Sequence, residues 1–564
     1  MDLRWIGTPV QRASMGVAGA AMLALLGNDA AAFEIDVGNP DLRIRWDNTV
    51  RYNVGWRADE RDDTLGDTWG LQAGEYRFDK GEVVTNRVDL LSEFDFVYRM
   101  NYGFRVSGAA WYDAAYDDNV KGNPAYENPA FTSLGFTPTA YPGNKYTSAV
   151  KRYYTQSGEL LDAFLFGRLD LGTVPVDIRF GRHNIYWGES LFTPIHGVSY
   201  SQGPVDFRKA IATPGSEAKE LFLPLNQLSA QAQLTDTLSL AAQYYLQWRP
   251  YRIYEGGTYF TFFDPFFQGG TNFLGIPYQG DVSSGPHEKP ENRGSWGANL
   301  KYAPEWGTVG LYYRRFDDKV PAILSTGGTF SELHNAYAED VKLMGVSLSK
   351  QLGGVAYGAE VVRRQNTALN TVFGAPDLAR GDTWHALVNA IAYIGKTPLF
   401  DSAVLLGEVT YSRLDKVYGR TRANFNHVDE TTFLGAPCGR VKDGCSTDDA
   451  WGMAVTFTPT WFQVFPSVDL TLPMHYNRGL KGNSPVPFGG NENSGSWSLG
   501  LGADYKGKYK FDLTYTDYFG DYTKAPNPFS FLPGIGPTAF GTSNGGNAII
   551  HDRGWLSFTF KTTF

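Results

Sequence analysis

The sequence predicts an all-β fold, a transmembrane antiparallel β-barrel of the outer-membrane kind with about eighteen strands, roughly 14 to 20. Three observations carry this. Long segments alternate strictly between apolar and polar residues, short turns alternate with long loops, and the chain stops on a phenylalanine that ends an apolar stripe.

Composition sets the background. Of 564 residues 42% are apolar and only 19% charged, while aromatics reach 15% and 64 are glycine, which suits many strands and wide turns with rings at an interface. Beyond the N-terminus no run approaches the roughly 20 apolar residues that a membrane helix needs. The net charge of −9 argues against a nucleic-acid partner, which would call for clustered Lys and Arg. Arg4 and Arg12 precede an apolar run from Met15 to Leu26, and Ala30, Ala31 and Ala32 supply a small-residue cleavage pattern before Phe33. Residues 1–32 therefore read as a signal peptide and 33–564 as a single barrel domain, exported through the inner membrane to the outer membrane of a Gram-negative cell.

The first strand runs from Leu42 to Trp56. One parity holds Leu42, Ile44, Trp46, Val50, Tyr52, Val54 and Trp56; the other holds Arg43, Arg45, Asp47, Thr49, Arg51 and Asn53. The same alternation returns at 227–234, 238–248, 497–505 and 509–515. Segments of about ten residues match what a tilted strand needs to cross a bilayer. Short turns are expected at 100–102, 171–173, 235–237, 304–306, 352–354, 395–398, 458–460 and 505–507, with long Gly, Asn, Asp and Pro-rich connections between the hairpins. In the last strand, GWLSFTFKTTF, the residues Leu556, Phe558, Phe560 and Phe564 share one face. That stripe closes against the first strand, and Phe564 is the expected signal to the barrel-assembly machinery.

The stretch GRHNIYWGES, Gly181 to Ser190, closes the fifth strand. Val174, Val176, Ile178 and Phe180 take the lipid parity, so Asp177, Arg179, Gly181 and His183 face the lumen and Trp187 reaches the rim, either as an interfacial ring or in contact with the lumen. The third long loop follows, 188–225, and Ser216 to Leu221 reads as a short capped helix. Arg179, Arg182, His183, Trp187 and Glu189 are the candidate constriction and hinge, with Glu189 expected to pair with Arg179 or Arg182 or to pin the loop. Arg43, Arg45, Asp47, Arg51 and Arg105 are the leading lumen charges, alongside Arg99, Arg179, Arg314 and Glu360. Facing charges of this kind filter ions in a pore. His183 or His196 with Ser190 or Ser199 could in principle serve catalysis, but no nucleophile-elbow or HExxH pattern supports an enzyme, a catalytic or metal site, or a cofactor. Cys438 and Cys445 are placed for a local loop disulfide in an oxidising compartment.

LDLGTVPVDIRFGR, with a loop after it, is similar to the strand before the constricting third loop of general diffusion porins. FEIDVGNPDLRIRWDNTVRYN, GRHNIYWGES and VDFRKAIATPGSEAKELFLPLNQLSAQAQLTDTLSLAAQYYLQWRP resemble more closely the outer-membrane family called domain of unknown function 1302, of Pseudomonas-type bacteria. That resemblance implies a barrel working beside a periplasmic lipid-carrier protein and an inner-membrane pump for hydrophobic molecules. It implies no catalytic residues.

Two outer loops are unusually aromatic. Phe260, Phe262, Phe263, Phe266 and Phe267 in one, and 528–540 in the other, read either as a capture surface for an apolar ligand or as an inward plug. The expected function is passage of small hydrophobic or amphipathic, lipid-like molecules through a monomer or trimer that contacts outer-membrane lipid and lipopolysaccharide. The alternatives are a passive hydrophilic porin and a non-transport receptor or structural barrel with a sealed lumen.

Overall fold

The first and last strands meet, and that pairing closes the sheet. Leu42–Arg57 (β1) lies antiparallel to Trp555–Thr563, from Thr49 opposite Thr563 to Arg57 opposite Trp555. The computed structural model describes residues 33–116, 119–264, 272–273, 276–279, 289–325, 333–432, 434–435 and 438–564. The expected signal peptide, and Phe266 and Phe267, lie outside the described residues.

Between the closing strands run β2 (Val83–Tyr98), β3 (Tyr102–Asp113), β4 (Gln156–Leu171), β5 (Val174–His183), β6 (Leu225–Gln233) and β7 (Leu238–Tyr245). Next come β8 (Trp296–Tyr302), β9 (Thr308–Phe316), β10 (Val341–Leu352), β11 (Val355–Ala368), β12 (Arg380–Ile394) and β13 (Ser402–Val417). The circuit ends with β14 (Asp449–Phe465), the broken β15 (Val468–Thr471 and Met474–Lys481), β16 (Gly495–Tyr505), β17 (Tyr509–Phe519) and β18 (Trp555–Thr563). Each pairs antiparallel with its neighbours, giving a closed barrel of eighteen strands. β15 breaks at Leu472-Pro473, where proline has no N–H for the ladder.

Alternation decides which face is which. On β11 to β13, Val361, Val388 and Val409 point outward and are exposed, while their chain neighbours Glu360, Asn389 and Glu408 are buried inside. Apolar outside and polar inside inverts a soluble protein and matches a wall set in lipid. No helix of the described residues is long and apolar enough to cross a membrane.

One expected turn is corrected. Thr458-Pro459-Thr460 lies within β14, with Pro459 opposite Ala403, and the hairpin tip falls at Pro466-Ser467. A proline tolerates this strand position because only its N–H is missing; its carbonyl still accepts from Leu472 N at 3.0 Å. Arg99, expected on the inward face, instead sits in the β2–β3 turn at φ +50° and pairs with Asp41 at 3.0 Å.

The long loops fold over one end of the barrel. Phe78, Tyr116, Tyr141, Tyr259, Phe260 and Trp555 belong to one apolar cluster there, and Trp69, Tyr126, Phe131, Leu532 and Ile535 form another. Beneath them Arg57 pairs with Glu75 at 3.1 Å and with Asp552 at 2.9 Å, and Arg553 also pairs with Glu75, all four being buried. Cys438 and Cys445 are disulfide-bonded in the loop between β13 and β14.

Candidate lumenal constriction

The third loop leaves the wall at the end of β5. Gly181 takes φ +122°, a conformation that favours glycine, and a Cβ there would lie 2.4 Å from the Ala163 carbonyl oxygen. His183, two residues on, is fixed by its own ring: Nδ1 bonds the Gly181 carbonyl at 3.0 Å and Nε2 bonds Ser229 Oγ at 2.8 Å.

The chain then crosses to the opposite wall. Glu360 on β11 accepts backbone N–H bonds from Glu189, from Ser190 at 3.1 Å and from Val198 at 2.6 Å. Glu408 on β13 accepts from Leu191 N at 2.7 Å, Phe192 N at 3.2 Å and Thr193 N at 2.8 Å, and from the Thr193 hydroxyl. Two buried carboxylates thus hold six backbone amides of one short segment, and among the described residues no ion pair is formed by either carboxylate. Amide donors stand in for the missing cations, since charge-assisted bonds are about twice as strong as neutral ones.

The grip continues along the loop. His196 Nδ1 meets His385 Nδ1 on β12 at 3.0 Å, its Nε2 bonds the Gly489 carbonyl at 2.9 Å, and Arg364 on β11 bonds the same His385. Burial and the nearby Arg364 guanidinium hold His196 down to about 4. Arg314 on β9 donates to the carbonyls of Val198 at 2.9 Å and Tyr200 at 2.6 Å. The wall also makes room: a Cβ on Gly297, Gly345 or Gly358 would come within 3.0 Å of Trp187 Cζ3, 2.7 Å of Val198 Cγ2 or 2.9 Å of Glu189 Cβ respectively.

The second half of the loop returns across the lumen. The expected short helix is present as Ala218–Leu221, but its cap is Glu217, in a capping box with Glu220, rather than Ser216, whose hydroxyl donates to the Thr213 carbonyl at 2.7 Å; a further helix runs over Phe207–Ala212. Glu220 then accepts two bonds from Arg51 of β1, at 2.8 and 3.1 Å. Lys219 reaches Glu93 of β2 and Lys561 of β18 reaches Glu217. Arg252, in the connection between β7 and β8, is bonded to Asp206 at 2.9 Å and to Glu159 of β4 at 2.6 Å.

Below this strap lies a cavity of 1150 Å³. It runs from Met100, Asn101 and Arg168 near the short turns to Trp187, Ser190, Leu191, Lys219 and Phe222 of the loop, and its sides carry Arg105, Asp162, Phe164, Phe166, Asp177 and Arg179. Arg179 lies over the Phe164 ring at 5.8 Å. A single guanidinium, that of Arg105, serves Glu93, Asp95 at 3.1 Å and Asp162 at 3.5 Å.

The sequence-derived residues fall into three groups. Arg51, Arg105, Arg179 and His183 converge on the loop or the cavity. Arg45 and Asp47 pair with each other at 2.6 Å near the short-turn end, and Arg43 is exposed there. Of its two expected places Trp187 takes the inward one and not the rim: it is buried against Tyr312, because the loop that carries it turns inward at once. Glu189 forms no ion pair with Arg179 or Arg182 among the described residues; its backbone is what pins the loop, and its side chain accepts from Ser347 Oγ at 3.4 Å. Arg182 is half-buried with its Nε unbonded. Phe260 is buried, and Phe262 and Phe263 are half-buried against the core, so this aromatic run packs inward rather than facing solvent. Neither His183 nor His196 bonds Ser190 or Ser199, because both rings spend their nitrogens elsewhere.

Glu408, His385, Arg364, Asn389, which donates to Glu408 at 3.3 Å, and Asp318, which accepts from the Ser201 hydroxyl of the loop at 3.0 Å, escaped the sequence reading. A signal was present: each of the first four interrupts an apolar strand at the inward parity, as in Trp384-His385-Ala386-Leu387-Val388-Asn389.

The chain has recognisable relatives. No curated protein matches it in sequence. Among solved structures it is similar to the outer membrane channel DcaP of Acinetobacter baumannii, at 9% identity and a TM-score of 0.36, covering 95% of this chain and 100% of that one. OpdK of Pseudomonas aeruginosa with vanillate gives 9% identity and 0.39 over 92% and 98%, and OccAB4 of Acinetobacter baumannii gives 10% and 0.40 over 95% and 100%. Likeness at that level does not extend to function. The family profile described as protein of unknown function DUF1302 matches residues 13–564, nearly the whole sequence, and the chain belongs to that family.

Proposed function

We propose that this barrel is an outer-membrane conduit for small hydrophobic or amphipathic molecules, gated by its third loop. The observation that carries the reading is the large cavity, lined by both rings and charges, that ends against a loop strapped across the lumen. Aromatic faces such as Phe164, Phe166 and Phe222 suit an apolar body, and Arg179, which forms no ion pair among the described residues, suits a polar head. Passage needs no covalent step: cargo occupies the cavity, and the strap yields to let it by. A lipid-carrier protein on the short-turn side, an inner-membrane pump, and assembly through Phe564, as monomer or trimer, complete the proposal.

The charged lining favours a second reading, a passive porin for hydrophilic solutes. Purified barrel in a planar bilayer separates the two, with mass spectrometry of co-purified small molecules. A bound amphiphile with little steady conductance supports the conduit; steady open-pore current with no bound amphiphile overturns it in favour of the porin.

A further inference from the structure

The outer wall near the long-loop end carries a row of cations over an aliphatic field. Arg315 on β9, Lys342 on β10, Arg363 on β11 and Arg413 on β13 all have the outward parity, the parity of Leu311, Val346, Val361 and Val409. The ladder fixes their neighbours. Arg315 stands directly opposite Lys342, and Trp384 of β12 stands opposite both Arg363 and Arg413, so the indole is flanked by guanidinium side chains on each side. Strands sit about 4.8 Å apart, which puts the two arginine backbones roughly 10 Å from one another. Arg363 also lies over the Trp384 ring at 5.4 Å.

Below this row the same faces are bare hydrocarbon: Val361, Val388 and Val409 are 51%, 58% and 44% exposed. Positive heads above an aliphatic stripe, with an indole at the boundary, complement an amphiphile that has an anionic head and acyl tails lying along the wall. The charge is only partly spent at home. Arg315 pairs with Asp340, and Arg363 with Asp415 at 2.9 Å, but Arg413 and Lys342 form no ion pair among the described residues. Lys and Arg side chains near an anionic lipid surface are drawn to it.

We propose that the outward face of β9 to β13 is a binding site for a phosphate-bearing lipid of the outer leaflet, with Arg413 and Lys342 as its free phosphate contacts and the valine stripe under its acyl chains. The site rests on the proposed outer-membrane placement with the long loops outermost, and not on any passage through the lumen.

The test uses the full barrel in phosphatidylcholine nanodiscs doped with an acylated diglucosamine lipid, either bearing its two phosphates or enzymatically stripped of them, and reads bound lipid by native mass spectrometry. The expected result is about tenfold preference for the phosphorylated lipid, lost in the R413Q/K342Q variant and kept in K508Q, a change at the opposite rim. Equal retention of the two lipids by the unaltered barrel, or undiminished preference in R413Q/K342Q, overturns the proposal. Heat-modifiable gel mobility confirms that each variant is folded. A barrel that conducts like a porin yet keeps this preference would refute the conduit and leave the lipid site standing.

Discussion

Replacing Glu408 with glutamine should loosen the third loop without unmaking the barrel. The carboxylate accepts three backbone N–H bonds and one hydroxyl bond from Leu191, Phe192 and Thr193, and a further bond from the Asn389 amide of the wall at 3.3 Å. Glutamine keeps the shape but turns one acceptor oxygen into a donor that faces other donors. At least one charge-assisted bond is lost, about 1.5–3 kcal/mol, and one amide is left buried and unbonded, about 1–3 kcal/mol. Allowing for partial relaxation, docking of residues 188–198 weakens by about 2–4 kcal/mol, which is on the order of 30- to 1000-fold in the open population. Hydrogen exchange followed by peptide mass spectrometry should show faster exchange in 188–198 and none of that gain in β16 to β18, and single-channel recording should show longer open times. Unchanged exchange in that segment, in a folded variant, would refute the account of the loop as held by wall carboxylates.

Other perturbations probe the same strap. Truncating Trp187 to alanine empties a buried site against Tyr312 and should destabilise loop docking by roughly 3–5 kcal/mol, visible as raised protease cleavage within 184–224. Arg51→Ala leaves Glu220 buried without its cation and should cost about 3–5 kcal/mol, lowering the heat-modification temperature, whereas the exposed Arg168→Ala should change it little. His196 is held neutral, with its folded value near 4 below the ordinary 6.5, by burial and by Arg364, with His385 also facing it. Its contribution, on the order of 3 kcal/mol, is therefore fully present above about pH 6.5 and lost as pH falls toward 4, so open probability should rise over that window in the parent and much less in His196→Gln. Gly188→Ala forces a Cβ to within 2.3 Å of a Glu360 oxygen at φ +96°, and should mimic Glu408→Gln in the exchange assay.

The barrel was legible because its evidence is local. Alternation along Leu42–Trp56 is visible residue by residue, and the parity it assigns to Arg51 and Trp46 holds in the structure, one buried inside and the other exposed outside. Pro459 misled for an equally local reason: proline between threonines reads as a turn, although β14 continues through Trp461, Phe462 and Val464 to Phe465. The strap was less legible. Its bonds join Glu189 to Glu360 and Leu191 to Glu408, residues far apart in the chain, and they run through backbone amides that any side chain could carry. Charge matching therefore suggested Arg179 or Arg182 as the partner of Glu189, when the carboxylate that matters lies on the wall and its partner is the main chain. The aromatic run at Tyr259–Phe263 posed the reverse difficulty, since composition alone does not say which way rings face.

The three wall glycines beneath the third loop make the inside of this barrel a mould. Because Gly297, Gly345 and Gly358 leave hollows shaped for Trp187, Val198 and Glu189, the loop is no interchangeable insert. A segment spanning residues 184–224 grafted into a barrel of the same girth would meet Cβ atoms where these hollows are, and would stand off the wall. Conversely, a foreign loop set into this scaffold would leave those hollows unfilled. Wall and loop fit as a matched pair, and chimaeras that exchange one should be built to exchange both.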